Sequence, residues 1–100
     1  MKVQELLSLR GKSAIVTGGS VGIGFQIAEE LAEAGANLVI CSRKLSRCEQ
    51  AARELQKLGV DVLATHVDVT DPEQVKTMFL TARERFGRID ILVNNAGGAW

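Results

Sequence analysis

The amino-acid sequence predicts an α/β protein whose core is a doubly wound parallel sheet. Short apolar runs of strand length alternate along the chain with longer stretches that have helical spacing. The short runs are apolar throughout rather than at every second residue, which is typical of parallel strands covered on both faces by helices. Each helical stretch is followed by a glycine, which tolerates the left-handed conformation that commonly ends a helix. These glycines are Gly35, Gly59 and Gly87.

Four strands are predicted from runs that are rich in β-branched residues. They cover residues 14–16, 38–40, 60–64 and 89–93. Right-handed crossovers between parallel strands give the strand order 3-2-1-4. The last strand would ordinarily have a further neighbour, and the chain ends seven residues after it. We therefore expect residues 1–100 to form the N-terminal half of a larger fold, with the element order β-α-β-α-β-α-β.

Three helices are predicted between the strands, over residues 22–34, 46–58 and 72–86. Each has apolar residues at the spacing of one buried helical face. The residues predicted to face inward are Ile23, Ile27, Ala28 and Leu31 in the first helix, Cys48, Ala51, Ala52, Leu55 and Leu58 in the second, and Val75, Met78, Phe79, Ala82 and Phe86 in the third. At the start of the third helix, Thr70 and Glu73 have the spacing of a capping box, and Pro72 lies in the first turn.

The composition argues against several classes of protein. Lys plus Arg and Asp plus Glu number 12 each, so a nucleic-acid binder that works through its overall field is not expected. Two cysteines, Cys41 and Cys48, and one histidine, His66, are too few for a disulfide scaffold or a metal cluster. We expect the cysteines to pack rather than react, and we expect His66 to lie in the core or at the edge of the sheet without a catalytic role. No apolar run approaches the roughly 20 residues of a membrane-spanning helix, and the N-terminus lacks a secretory signal. We therefore expect a cytoplasmic protein with no membrane partner.

The segment 17–24, Thr-Gly-Gly-Ser-Val-Gly-Ile-Gly, follows the first predicted strand and opens the first helix. Backbone N–H groups at a helix N-terminus attract phosphate, and glycines leave room for a pyrophosphate. The glycines of this segment are Gly18, Gly19, Gly22 and Gly24. Three of them, Gly18, Gly22 and Gly24, have the spacing Gly-x-x-x-Gly-x-Gly. A tight turn without a ligand is the alternative, and the flanking strand and helix favour the phosphate site. Residues 11–13, Gly-Lys-Ser, do not form a Walker A motif, because they precede the strand. The motif also requires a glycine five residues before Gly11, where this chain has Leu6.

Polar residues follow the second and third predicted strands. Ser42 and Arg43 stand where an NAD site usually has a carboxylate for the ribose hydroxyl. A hydroxyl and a guanidinium instead match a 2′-phosphate, which favours NADP. After the third strand, the Asp68 carboxylate could accept from the exocyclic amine of adenine while the N–H of Val69 donates to the ring. The alternatives are that Arg43 is a solvated residue before a helix and that Asp68 only shapes its turn.

The segment 94–97, Asn-Asn-Ala-Gly, follows the fourth predicted strand. Small residues and a glycine let the backbone approach a ribose, and Asn side chains can tie neighbouring strand ends together. A purely structural turn remains an alternative, above all for Asn94.

These segments together resemble the short-chain dehydrogenase/reductase family over about residues 9–97, with three motifs in order, each after the expected strand. The resemblance implies a Rossmann-type fold with NADP, or alternatively NAD, at the carboxyl ends of the strands. It assigns the pyrophosphate and ribose to Gly18, Ser20, Ile23 and Gly24, the adenosine phosphate to Ser42 and Arg43, adenine to Asp68 and Val69, and the nicotinamide-side ribose to Asn95, Ala96 and Gly97.

The resemblance also implies a function, that of an NADP(H)-dependent oxidoreductase interconverting a secondary alcohol and a ketone. The members that this sequence looks most like are 3-oxoacyl-carrier-protein reductases, gluconate 5-dehydrogenases and tropinone reductases. The intact protein would act on a small-molecule alcohol or ketone, and we expect a homotetramer or homodimer. The alternative is a non-catalytic dinucleotide-binding or regulatory module of the same fold.

The sequence departs from the family at two places. Many NADP-dependent members carry Arg or Lys just before the middle glycine, where this chain has Val21, so NADP selection would depend on Arg43 and Ser42. The family's catalytic Ser and Tyr-x-x-x-Lys lie further along the chain than residue 100, and these residues contain no Tyr. We therefore expect residues 1–100 to be a partial dinucleotide-binding domain, truncated before the catalytic half and inactive alone.

Overall fold

The computed structural model describes residues 8–18 and 22–95, and its elements follow the predicted order. The strands are β1 (Ser13–Thr17), β2 (Asn37–Ser42), β3 (Val62–His66) and β4 (Ile91–Asn94). The helices are α1 (Gly22–Glu33), α2 (Leu45–Gln56) and α3 (Pro72–Phe86). Four residues assigned to the site by sequence, Gly19, Ser20, Ala96 and Gly97, lie outside the described residues, as does Val21.

The four strands form one parallel sheet in the order β3-β2-β1-β4, which confirms the predicted doubly wound topology. The register sets Thr17 opposite both Cys41 and Asn94, and it sets Ser42 opposite His66. Because the strands are parallel and end at matching positions, their carboxyl ends lie along one edge of the sheet. The polar segments singled out by sequence all follow this edge.

Two apolar cores lie on the two faces of the sheet. Val16 and Ile40 belong to one core, together with buried residues of α1 and α2. Ile15 and Val39 belong to the other, together with Met78 of α3. Alternate strand residues therefore point to opposite helical layers, as the pleat of a strand requires. This two-sided burial is the reason that the strands are apolar throughout, and each such side chain contributes about 1.5–3 kcal/mol when it leaves water.

Two residues predicted to face inward are exposed. Ile23 is 69% exposed and Leu58 is 41% exposed. Ile23 lies in the first turn of α1, where the helix has only begun to cover the sheet, and Leu58 lies beyond the last residue of α2. Helical spacing identifies the face on which a residue lies, but burial at a helix end depends on how far the sheet extends beneath it.

The cap of α3 differs from the predicted capping box. The N-cap residue is Asp71, whose carboxylate accepts the N–H of Glu73 at 3.0 Å. The hydroxyl of Thr70 donates instead to Asp68, at 2.6 Å. Pro72 explains the difference, because it is the first residue of the helix and so makes Asp71 the residue before the first turn.

β3 and β4 begin two residues later than predicted. Pairing starts where Leu38 meets Val62 and where Ala14 meets Ile91. The earlier apolar residues, such as Val60, pack against the cores without joining the sheet. Among the helices within residues 8–18 and 22–95, none is long and apolar enough to cross a membrane.

Candidate functional site

The candidate site lies at the carboxyl edge of the sheet, where four chain segments leave the four strands. In open α/β sheets, ligands bind in the crevice outside the carboxyl ends of the strands, next to the point where the strand order reverses. Here the order reverses at β1, between β2 and β4. The segment that follows β1 is the glycine turn.

The glycine turn needs its glycines for two different reasons. Gly18 has a φ of 65° and Gly22 a φ of 60°, a conformation that side chains with a Cβ rarely adopt. Within residues 8–18 and 22–95, a Cβ at Gly22 would meet no atom within 4 Å, so the backbone faces open space with respect to these residues. A Cβ at Gly24 would overlap the carbonyl oxygen of Gly18 and lie 2.7 Å from Nδ2 of Asn95. Gly24 therefore lets α1 lie against the turn, and Gly22 keeps the outer side of the turn open.

The hydroxyl of Thr17 joins the end of β1 to the end of β4. It accepts the backbone N–H of Asn95 at 2.8 Å, and it lies within donating distance of the Val93 carbonyl oxygen at 3.3 Å and of Asn94 Oδ1 at 3.2 Å. Thr17 is 5% exposed, so these bonds are shielded from water. This role of Thr17 is not among those predicted from the sequence. The available signal was a lone hydroxyl at the end of an apolar strand, beside the Gly turn.

Asn95 is the described part of the segment assigned to the nicotinamide-side ribose. The backbone N–H of Asn95 donates to the Thr17 hydroxyl, and the residue is half-buried. Its side-chain nitrogen Nδ2 lies beside Gly24. The glycine turn and the segment after β4 are therefore in contact. Asn94 also bonds to Thr17, which fits the structural alternative given for it above.

Ser42 and Arg43 have different environments at the end of β2. The Ser42 hydroxyl accepts the N–H of Lys44 at 3.0 Å and lies 3.1 Å from the Lys44 carbonyl oxygen. It therefore shapes the turn before α2. The Arg43 side chain is exposed. Because α2 has no acidic residue in its first turn and no side-chain cap at Lys44, the entry to this helix is positively charged.

The segment after β3 holds Asp68 in an ionised state. Its Oδ1 accepts both the hydroxyl of Thr70, at 2.6 Å, and the N–H of Thr70, at 2.9 Å. These bonds lower the pKa of Asp68, and the charges of Arg43 and His66 lower it further. Arg43 after β2 and Asp68 after β3 thus lie within electrostatic reach of each other, which brings two of the predicted binding segments together.

The cysteines pack as the sequence analysis expects. Both are free thiols and both are buried. Burial raises the pKa of the Cys41 thiol to about 12, so it is protonated at neutral pH and is a poor nucleophile. His66 is exposed at the end of the outer strand β3. In the part of the chain that the structure describes, no three His, Cys, Asp or Glu side chains are grouped to hold a metal ion.

The topology and the glycine turn define a Rossmann-type nucleotide-binding α/β domain. The family model of short chain dehydrogenases matches residues 12–100. The chain belongs to this family.

Curated proteins and solved structures give the same result. The chain is 43% identical to the rhamnolipids biosynthesis 3-oxoacyl-[acyl-carrier-protein] reductase of Pseudomonas aeruginosa, over 93% of this chain and 36% of that protein. The L-sorbose reductase of Gluconobacter frateurii, solved with NADPH and L-sorbose, is 48% identical with a TM-score of 0.87, over 91% of this chain and 35% of that one. A 7α-hydroxysteroid dehydrogenase, solved with NADH and 7-oxo glycochenodeoxycholic acid, is 37% identical with a TM-score of 0.92, over 100% of this chain and 39% of that one.

The chain spans 31–40% of the length of the curated relatives that it matches first. These relatives include proteins named as reductases and as dehydrogenases. The family is therefore clear, and the chain corresponds to a part of each relative.

Proposed function

We propose that the chain is the cofactor-binding half of an NADP(H)-dependent oxidoreductase that interconverts a secondary alcohol and a ketone. The observation that carries this proposal is the chemistry of the carboxyl edge. There an open glycine turn lies beside β2, which is followed by exposed Arg43 and has no carboxylate at its end. The bound nicotinamide would supply or accept the hydride. The proton would be handled by the Ser and Tyr-x-x-x-Lys that the resemblance implies further along the chain.

The glycine turn and the start of α1 would hold the pyrophosphate. The open space above Gly22 leaves room for a phosphate against the backbone. The N-terminus of α1 carries the positive end of the helix dipole, and no acidic residue lies in its first turn to neutralise it. We assign Gly18, Gly24 and exposed Ile23 to this contact, together with Gly19 and Ser20 on sequence grounds.

The loops after β2 and β3 would hold the adenosine end. The ionised Asp68 carboxylate can accept from the adenine amine, and the neighbouring N–H of Val69 can donate to the ring. Arg43, with Ser42 beside it, would bind the 2′-phosphate through a charge-assisted hydrogen bond. Since Asp68 and Arg43 lie close together, adenine and the 2′-phosphate would occupy neighbouring positions, as they do in the nucleotide itself.

The segment after β4 would hold the nicotinamide-side ribose. Asn95 is fixed between Thr17 and Gly24, which gives it a set position relative to the glycine turn. Ala96 and Gly97 join it in this proposal from the sequence motif. The reacting end of the cofactor would then lie near β4, on the opposite side of the glycine turn from Arg43.

The preference for NADP is tested by titrating NADPH and NADH into the full-length protein. A charge-assisted hydrogen bond contributes about 1.5–3 kcal/mol, so Arg43→Ala should weaken NADPH binding about 10- to 150-fold and leave NADH binding nearly unchanged. The matched control is Arg53→Ala, which removes an exposed cation from the last turn of α2, the helix that follows Arg43. Equal affinities for the two cofactors, unaffected by Arg43→Ala, would refute the preference. One of the solved relatives holds NADPH and another NADH, so both outcomes are chemically open.

The oxidoreductase activity is tested by following NADPH absorbance with a panel of ketones. Ketone-dependent oxidation by the full-length protein supports the enzyme. Tight cofactor binding without turnover of any ketone or alcohol would favour the non-catalytic module instead. We also propose that the full-length protein acts on a small-molecule alcohol or ketone, forms a homodimer or homotetramer, and is cytoplasmic.

A further inference from the structure

The side chain of Gln74 spans the β3–α3 loop, residues 67–71, which the proposed function assigns to adenine. Its Oε1 accepts the backbone N–H of Asp68 at 2.8 Å. Its Nε2 donates to Oδ2 of Asp71 at 3.0 Å. Only one orientation of the amide satisfies both partners, because the reversed amide would set its NH₂ group against the Asp68 N–H. Gln74 thus connects the first turn of α3 to both ends of the loop.

The backbone N–H groups of the loop have partners, with one exception. The N–H of Val67 donates to the Ser42 carbonyl, that of Asp68 to Gln74, and that of Asp71 to the Asp68 carbonyl. The N–H of Thr70 donates to the Asp68 carboxylate. Within residues 8–18 and 22–95, the N–H of Val69 alone among these five has no acceptor.

The loop therefore presents a defined pair of groups to a ligand. The pair is one backbone N–H, from Val69, beside one ionised carboxylate, from Asp68. A free N–H next to a carboxylate is complementary to a ring nitrogen next to an amino group, which is the arrangement on the edge of adenine. If the Asp68 N–H were also free, the loop would have a second donor and could rotate about the strand end.

We propose that Gln74 is a positioning residue for the adenine end of the cofactor, acting through the Asp68–Asp71 backbone without touching the ligand. This inference rests on the proposed function, because it takes adenine as the ligand of the loop. Gln74 fixes which donor faces outward. Asp71 has two roles, since its Oδ1 caps α3 through Glu73 while its Oδ2 holds the Gln74 amide.

The test uses two fragments of the cofactor with the full-length protein. Adenosine 2′,5′-diphosphate contains the adenine end, and reduced nicotinamide mononucleotide contains only the other end. Gln74→Met keeps the length of the side chain and removes both hydrogen bonds. We expect about tenfold weaker binding of adenosine 2′,5′-diphosphate by calorimetry, with unchanged binding of the mononucleotide. The matched control, Gln50→Met, changes an exposed glutamine on α2 and should alter neither.

A second pair of variants, in which the carboxylate moves from residue 71 to residue 74, distinguishes a positioning role of Gln74 from a role in stabilising the fold. Gln74→Glu alone keeps the acceptor for the Asp68 N–H but sets two carboxylates against each other, so it should weaken binding of adenosine 2′,5′-diphosphate. Adding Asp71→Asn restores the hydrogen bond with donor and acceptor exchanged, and asparagine caps a helix as well as aspartate does. The double variant should recover most of the lost affinity.

The outcomes are distinguishable. If the wild-type protein binds neither NADPH nor adenosine 2′,5′-diphosphate, the proposed function itself fails. If it binds them and Gln74→Met binds the adenosine fragment equally well, the positioning role is wrong. Equal weakening of both fragments, or no recovery in the double variant, would show that Gln74 only stabilises the fold. Should Gln74→Met fail to fold, the comparison of Gln74→Glu with the double variant still decides.

Discussion

Replacing Gly24 by alanine should lower both stability and cofactor affinity, whereas the same change at Gly22 should lower mainly stability. The added Cβ at Gly24 would overlap the Gly18 carbonyl oxygen and lie 2.7 Å from the Asn95 amide nitrogen. The overlap with Gly18 involves a backbone atom, which cannot turn aside as a side chain can, so α1 must move away from the turn. Overpacking of this kind typically costs about 1–3 kcal/mol. The displacement also pushes on Asn95, which the proposed function places at the nicotinamide-side ribose.

At Gly22 the added Cβ enters open space, so the cost comes from the backbone conformation alone. A φ of 60° costs a residue with a Cβ about 1–2 kcal/mol. Gly22→Ala and Gly24→Ala should therefore lower stability by similar amounts for different reasons. Gly22→Val adds branches on the outer side of the turn, where the pyrophosphate is proposed, and it should abolish cofactor binding in a protein that still folds.

The assay is a thermal melt of each full-length variant with a parallel NADPH titration. Each kcal/mol lowers Tm by about 2–4 °C in a domain of 150–250 residues. We expect Gly24→Ala to lose both stability and affinity, Gly22→Ala to lose mainly stability, and Gly22→Val to lose affinity well beyond its stability loss. Wild-type melting and binding by Gly24→Ala would refute the packing argument. Undiminished binding by Gly22→Val would show that the motif is only a turn.

Two further predictions concern residues that bond to backbone. Thr17→Val keeps the shape of the side chain but leaves the N–H of half-buried Asn95 unpaired, so the free energy of unfolding in urea should fall by about 1–3 kcal/mol. The control is Thr77→Val on the exposed face of α3, which should change this free energy little. The N–H of Ser13 lowers the pKa of Asp90, so this carboxylate stabilises the fold above its unfolded pKa, and the stabilisation is lost as the pH falls through the lowered pKa. Asp90→Asn should therefore reduce stability at pH 7 and flatten its decline below about pH 4; an unchanged acid transition would contradict this.

The fold could be predicted from sequence to a large extent, because burial decides which faces of the elements are apolar. The runs around Ile15 and Val39 are covered on both sides, and this alone produces the continuous apolar pattern of a parallel strand. The sequence predicts the ends of the helices and strands less accurately. Val60 is apolar because it packs against the core, not because it pairs, and Ile23 lies on the predicted face of its helix but beyond the cover of the sheet.

The site could be predicted only as a set of loops. Residue types at strand ends indicate where a ligand binds, since the topology brings those ends together. The supporting bonds could not be predicted in the same way. The bond from Asn95 to Thr17 joins residues 78 positions apart, and its existence depends on the register of β1 with β4. The bonds of Gln74 depend on the path of a loop that no periodicity describes.

The distribution of charge along the sheet adds an argument that composition cannot supply. Equal numbers of cations and anions suggest no preference for a polyanion. In the described part of the chain, the ion pairs are Lys57 with Glu54, Arg85 with Asp61 and Arg88 with Asp90, and all three lie toward the amino ends of the strands. At the carboxyl edge, Arg43 makes no ion pair among these residues, while Asp68 is hydrogen-bonded by Thr70. Three cations near the amino edge are therefore paired, whereas Arg43 at the carboxyl edge is exposed and without an ion pair among the described residues. On a chain with no net charge, Arg43 therefore offers a local cation at the position where we propose that the 2′-phosphate of NADP binds.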